Sequence, residues 1–160
     1  ILLDIALPDI NGLEVLKQIC QLQPQVRVLI LSAYPEAQYA ERALRSGAAG
    51  YLTKDRAPEE LIEAIRKAHS GGKYVSESFA ESLAVLLSDE GQSLPHESLS
   101  DREYEVLRLL AKGKTVSEIA AQLTLSDKTI STYRARILEK LNLKNTAEIV
   151  RYALQHGLVE

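Results

Sequence analysis

Apolar and polar positions alternate in two different rhythms along the 160 residues. The first half carries short apolar runs separated by helical stretches. Ile1–Ile5 is a run of strand length, and Val26–Leu31 is a β-branched run long enough for a buried strand and too short for a helix. Gly50–Thr53 is a third such run. Between and after them, Leu13–Leu22, Glu36–Ser46 and Pro58–His69 have helical spacing. Gly47 closes the second of these helices and Gly71-Gly72 stops the third, while Pro58 opens it. This β-α-β-α-β-α order predicts a parallel sheet covered by helices. Ser76–Leu87 is a further amphipathic helix, with Phe79, Leu83, Leu86 and Leu87 on one face.

Ser88–Ser98 has the Gly, Pro, Ser and acidic content of a flexible interdomain linker. Beyond it the pattern is helical only. Ser100 with Glu103 and Thr115 with Glu118 have capping-box spacing, in which each side chain satisfies the other residue's free backbone N–H. Ser126 can cap a third helix, and Asn145 with Glu148 a fourth. Gly113 and Gly157 sit where left-handed helix ends are wanted. The expected helices are 101–112, 116–123, 127–141 and 146–156. Only Thr124-Leu125-Ser126 joins the second and third, which is the helix-turn-helix pattern.

Charge changes the picture where its average does not. The net charge of −3 argues weakly against a nucleic-acid partner. Residues 1–90 are net −4, however, and residues 99–160 net +2, with a local +4 across 128–144. On the third helix of the second half, Ile130, Tyr133, Ile137 and Leu141 form the core stripe. The opposite face holds Lys128, Ser131, Thr132 and Ala135, with Arg136 and Lys140 flanking. Short polar residues between cations suit a helix that enters the major groove: Ser131 and Thr132 let the backbone approach base edges, and Thr132 and Ala135 suit a thymine methyl. Lys128, Arg136 and Lys140 are placed to grip phosphates. Arg134 lies nearer the core side, within reach of a rim phosphate or an acid. The stretch Leu99–Leu158 resembles the LuxR/GerE-type four-helix domain. Leu99, Arg102, Glu103, Glu105, Val106, Leu107 and Gly113 carry the resemblance, followed by Glu118, Ile119, Ala120, Leu123, Ser126, Thr129, Ile130, Ile137, Lys140 and Leu141. Ser131 and Tyr133 stand where that family often has Lys and His, so base preference does not carry over. The resemblance implies double-stranded DNA as partner, Thr129 among the DNA-facing positions, and a homodimer through the fourth helix, where Val150 and Leu154 are the contact candidates.

In the first half, Asp4, Ser32 and Lys54 each end a strand of the same parallel sheet, the edge where α/β folds place their chemistry. A carboxylate, a hydroxyl and an ammonium there suit phosphoryl transfer to Asp4, with Lys54 neutralising charge and Ser32 bonding a phosphoryl oxygen. With Pro8 and Gly12 at their offsets, Ser32-Ala33 and Gly50-Tyr51-Leu52-Thr53-Lys54, the arrangement resembles a response-regulator receiver domain of flavodoxin-like fold. The whole chain resembles the NarL/FixJ class of two-component regulators. The resemblance implies phosphorylation at Asp4, a Mg²⁺ bound by Asp4 and the Ala6 carbonyl, an aromatic switch at Tyr51 and a sensor histidine kinase as partner. On the family pattern the chain begins at the third strand, so the sheet is expected to be incomplete and to lack the acidic pair that completes the metal site. The domains expected are 1–75 (the C-terminal portion of a receiver), 76–98 (linker helix and linker) and 99–160 (DNA-binding domain).

Rival classes fit less well. Ala6 stands where a haloacid-dehalogenase-type phosphatase has its second aspartate. His69, His96 and His156 match no metal spacing, and Gly71-Gly72 precedes no phosphate-loop lysine. A small-molecule sensor of the autoinducer-binding kind is disfavoured by the absence of tryptophan and by the Asp4/Ser32/Lys54 pattern. A regulator controlled without phosphate stays open, because of the missing acidic pair. The lone Cys20 excludes an internal disulfide framework and suits a small core position. No apolar run reaches membrane-spanning length, so the expectation is a cytoplasmic regulator and not an enzyme.

Overall fold

A computed structural model describes residues 1–88 and 94–159, without the side chains of 85–88. The chain divides into two compact units, Ile1–Gly91 and Gln92–Glu160. In the first, β1 (Leu2–Leu3), β2 (Leu29–Ser32) and β3 (Gly50–Thr53) form a parallel sheet in that order. Helices α1 (Gly12–Leu22), α2 (Glu36–Arg45) and α3 (Ala57–His69) follow the strands in turn, and α4 (Glu77–Ser88) comes last. The expected parallel order holds. The paired segments are shorter than the apolar runs that predict them: Ile5 and Val28 are buried in the core but lie outside the ladder.

Each helix begins where a local signal places it. The Asn11 side chain caps α1 by accepting from Leu13 N–H at 2.9 Å. Helix α2 starts after Pro35 and ends before Gly47, whose φ of 103° is left-handed. Leu29, Leu52, Ala64, Ala68 and Tyr74 share one core cluster between the sheet and α3. One feature has no sequence signal. After the Gly71-Gly72 stop, the chain runs beside β3, where Tyr51 N–H donates to Tyr74 O and Tyr74 N–H to Ala49 O. Gly50 makes room for this, since a Cβ there would lie 2.4 Å from Tyr74 O. The Tyr74 hydroxyl donates to Glu60 at 2.7 Å, and burial together with that carboxylate pushes its pKa up to about 12.

Helix α4 occupies the stretch expected for it. Phe79 is buried and Leu83 half-buried, while the side chains of Leu86 and Leu87 lie outside the described residues, as do residues 89–93 of the expected linker. The end of that linker is structured. Pro95–Ser98 is a 3-10 turn, and His96 is buried with Nδ1 3.0 Å from the Tyr152 hydroxyl. Proline fixes the backbone there and an aromatic pocket takes the imidazole, so the polar composition misleads.

The second unit contains α5 (Asp101–Ala111), α6 (Val116–Leu123), α7 (Asp127–Lys140) and α8 (Thr146–Gln155). Both capping boxes form as predicted, at Ser100/Glu103 and Thr115/Glu118. Helix α5 packs against the other three. Its Arg102 and Glu105 side chains pair at 2.7 Å while almost wholly buried, and Arg108 Nε donates to Leu158 O. Among the described residues no helix is long and apolar enough to cross a membrane.

Candidate functional site

The sheet brings Asp4, Ser32 and Lys54 together because each directly follows or ends a parallel strand. Parallel strands end on the same edge, so residues far apart in sequence converge there. Lys54 Nζ lies 2.5 Å from Asp4 Oδ2. The pair is accessible, with side chains 50% and 25% exposed. Asp4 Oδ1 accepts from Ala6 N–H at 3.0 Å, which fixes the carboxylate's direction. Gly12 locks the loop behind it: its N–H donates to Ile5 O at 2.9 Å, and a Cβ on it would sit 2.0 Å from Asp4 O.

Ser32 is fully buried at the end of β2, its Oγ accepting from Tyr34 N–H at 3.2 Å. Lys54 N–H donates to Ser32 O, which ties the two strand ends together. Tyr51 points into the protein at 1% exposure, its hydroxyl donating to Tyr34 O at 2.8 Å. A carboxylate, its counter-charge and a hydroxyl from the neighbouring strand therefore share one edge.

Receiver domains use Mg²⁺ at their phosphorylation site. Asp4 and the Ala6 carbonyl are the oxygens of this edge that could hold it, beside the waters and phosphate oxygens that Mg²⁺ ordinarily keeps, and Asp4 Oδ2 is engaged by Lys54. Among the described residues no three His, Cys, Asp or Glu side chains gather.

In the second unit, α6 and α7 are joined across Thr124–Ser126. Thr124 takes the left-handed conformation, φ 56°, that closes α6, and Leu125 N–H donates to Ala120 O. Ser126 Oγ caps α7 through Thr129 N–H. Ser117 on α6 donates to Asp127 in the first turn of α7 at 2.5 Å, which fixes the second helix against the first. Ile130 and Ile137 are fully buried, Leu141 is buried and Tyr133 is half-buried. Lys128, Ser131, Thr132, Arg134, Ala135 and Arg136 are exposed, so the apolar stripe and the outward face fall where helical spacing puts them. Thr132 Oγ1 donates to Lys128 O, which commits its hydroxyl to the helix and leaves its methyl as the free group. Thr129 lies at the cap, its hydroxyl 2.9 Å from that of Ser126.

Two cations are placed less simply than the helical wheel suggests. Arg134 Nη1 lies 3.4 Å from Thr146 Oγ1 and has a hydroxyl, not an acid, beside it. Lys140 Nζ donates to Glu103 Oε2 at 2.7 Å and reaches Ser98 O at 3.4 Å. That carboxylate also accepts from Ser100 N–H in the α5 cap. Burial alone would raise the Glu103 pKa, but Lys140 and the Ser100 backbone outweigh it and hold it below the usual value. Lys140 is thus employed inside the unit, a role that sequence reasoning misses because its partner lies 37 residues away. Further along, Val150 is half-buried and Leu154 is 55% exposed on α8.

Comparison with known proteins agrees with this division. A family model for bacterial regulatory proteins of the luxR family matches residues 97–153. One for the response regulator receiver domain matches residues 1–66. The response regulator UvrY of Escherichia coli (strain K12) is 36% identical over 159 residues, which cover 99% of this chain and 73% of that protein. The response regulator GacA of Pseudomonas aeruginosa is 35% identical over 161 residues, covering 100% of this chain and 75% of that one. Among solved structures, RcsB from Salmonella enterica serovar Typhimurium, bound to promoter rprA in the presence of the phosphomimetic BeF3−, aligns with a TM-score of 0.53. The identity there is 27%, over 94% of this chain and 72% of that one.

Proposed function

The chain belongs to the response regulators that join a receiver domain to a LuxR-type domain, and from that premise we propose that it is a cytoplasmic, DNA-binding transcription regulator governed by phosphorylation of Asp4. Proteins of this family are transcription regulators and not enzymes. The observation that carries the proposal is the convergence of Asp4, Lys54 and the buried Ser32 on one sheet edge. Residues 1–75 act as the receiver portion, 76–98 as the connection and 99–160 as the DNA reader.

An Asp4 carboxylate oxygen attacks phosphorus. The bond between phosphorus and the donor breaks, and the donor leaves with the electron pair. The donor is a phosphohistidine of a sensor kinase or a small acyl phosphate. Lys54, already paired with Asp4, turns its ammonium to donate to the new phosphoryl oxygens, and the Ser32 hydroxyl donates to another. Tyr51 then follows the loop that carries Tyr34. In the DNA reader, Ser131, Thr132 and Ala135 face base edges, and Lys128, Arg134 and Arg136 hold phosphates. Thr129 and Lys140 position α7 through Ser126 and Glu103. A homodimer through Leu154 and Val150 of α8 places two such helices on one operator.

The test is intact mass after incubation with acetyl phosphate and Mg²⁺, followed by operator binding measured by anisotropy. The expected result is an adduct of about 80 Da that Asp4→Asn abolishes, with tighter DNA binding by the modified protein. DNA binding with no adduct would favour the second reading, a LuxR-type regulator controlled without phosphate.

A further inference from the structure

Four hydrogen bonds lie between the edge that carries Ser32 and α4, the last helix of the first unit. Ser32 Oγ accepts from Tyr34 N–H at 3.2 Å. Tyr34 O accepts from the buried Tyr51 hydroxyl at 2.8 Å. Two residues on, Glu36 in the first turn of α2 accepts Ser76 N–H on Oε1 at 2.9 Å. Ser76 Oγ in turn accepts Phe79 N–H at 3.1 Å, which caps the start of α4. Ser76 and Phe79 are both buried. Only Ala33, Tyr34 and Pro35 separate Ser32 from α2. Pro35 locks one backbone torsion of that short link, and the Tyr34 ring stacks on Tyr39 inside α2 at 4.9 Å. The link is therefore stiff, and a shift at Ser32 or Tyr34 is passed on to Glu36.

We infer that Glu36 is a positioning residue, a carboxylate latch that couples the Ser32–Tyr34 loop to the first turn of α4 through Ser76. The Ser76 N–H is buried and a charged acceptor holds it, so losing Glu36 exposes or orphans it, and the α4 start loosens. A loop rearranged around a phosphoryl group would pull this carboxylate and alter the α4 start. The last step of this inference, but not the latch itself, rests on Asp4 being the phosphorylated residue.

Amide hydrogen exchange on the full chain tests the latch without any phosphate. Glu36→Ala is expected to speed exchange at Ser76 about tenfold, the loss of one charge-assisted hydrogen bond. Ser32→Ala is expected to change exchange at Ser76 and Phe79 at least threefold with Glu36 present and not at all in Glu36→Ala, a double-mutant signature of coupling. Unchanged exchange at Ala64 and Ala68, buried in α3 of the same unit, shows that the variants fold, and Glu36→Gln, which keeps the shape, should fall between. Equal Ser32→Ala effects in both backgrounds, or none in either, would overturn the proposal. Acetyl phosphate supplies the second arm. Where intact mass shows the adduct in both proteins, exchange at Ser76 and Phe79 responds in the wild type and not in Glu36→Ala. Absence of the adduct defeats the phosphorylation reading, while the Ser32/Glu36 cycle still decides the latch.

Discussion

Replacing Lys140 by Ala should weaken the fold of the DNA-reading unit without flattening the salt dependence of DNA binding, whereas Arg136→Ala should do the reverse. The Lys140 ammonium lies 2.7 Å from a Glu103 carboxylate that is 3% exposed, while the lysine itself is 39% exposed. Removing one partner of a buried pair costs about 3–5 kcal/mol. Here the lysine is partly solvated and Ser100 N–H still holds the carboxylate, which brings the expectation down to about 1–2 kcal/mol. For a unit of this size that lowers Tm by about 5–10 °C. With Lys140 engaged, the cations on α7 proposed to hold phosphates are Lys128, Arg134 and Arg136, three per copy. A dimer then neutralises about six phosphates, and log affinity falls against log salt with a slope of about −5. Arg136→Ala removes one contact per copy and brings the slope to about −4, with Tm unchanged. Anisotropy titrations across a salt series, paired with calorimetry, decide the matter. A Lys140→Ala protein with unaltered Tm and a flattened slope would refute the assignment of Lys140 to Glu103.

Three further outcomes are expected. The carboxyl of Glu103 is held below its usual 4.5, so the stability it lends is complete above that value and is lost as pH falls through the lowered one. In Lys140→Ala burial prevails, and the calorimetric Tm should begin to fall at a higher pH than in the wild type. Gly12→Ala drives a Cβ into Asp4 O. It should disrupt the first unit by about 3 kcal/mol or more, seen as an early separate transition on heating, while a variant as stable as the wild type would contradict the packing. Thr124→Gly relieves a non-glycine residue at φ 56° and should raise the Tm of the second unit, by about 0.5–1 kcal/mol of stability; a lowered Tm would show that the Thr124 side chain holds the turn.

The elements were legible where a residue's own backbone needs announce them. Ser100, Thr115, Ser126 and Asn145 cap because a hydroxyl or amide oxygen is the cheapest partner for an orphan N–H, and each does so. The apolar runs located the three strands without fixing their bounds, and parallel pairing then brought Asp4, Ser32 and Lys54 together. Contacts that depend on tertiary closure left no local trace. The burial of His96 against Tyr152 turned an apparent linker into a 3-10 turn. The backbone of Tyr74 joined the flank of β3, although nothing in its flanking residues is periodic. Lys140 has the same helical-wheel position whether it holds a phosphate or Glu103, so spacing alone could not choose.

The loop from Asp4 to Gly12 is closed at both ends by backbone contact, Gly12 N–H on Ile5 O and its bare Cα against Asp4 O. Its length is thereby a fixed quantity, and Ala6 is tied in as well by its N–H on Asp4 Oδ1 and its bridge to Asn11, while Pro8 and Asp9 stand exposed. Sequence drift in this loop is free to change what the surface looks like to a passing partner, but not how many residues separate the aspartate from the glycine. Substitutions at Pro8 and Asp9 can therefore remodel this surface while the Asp4 carboxylate stays where it is.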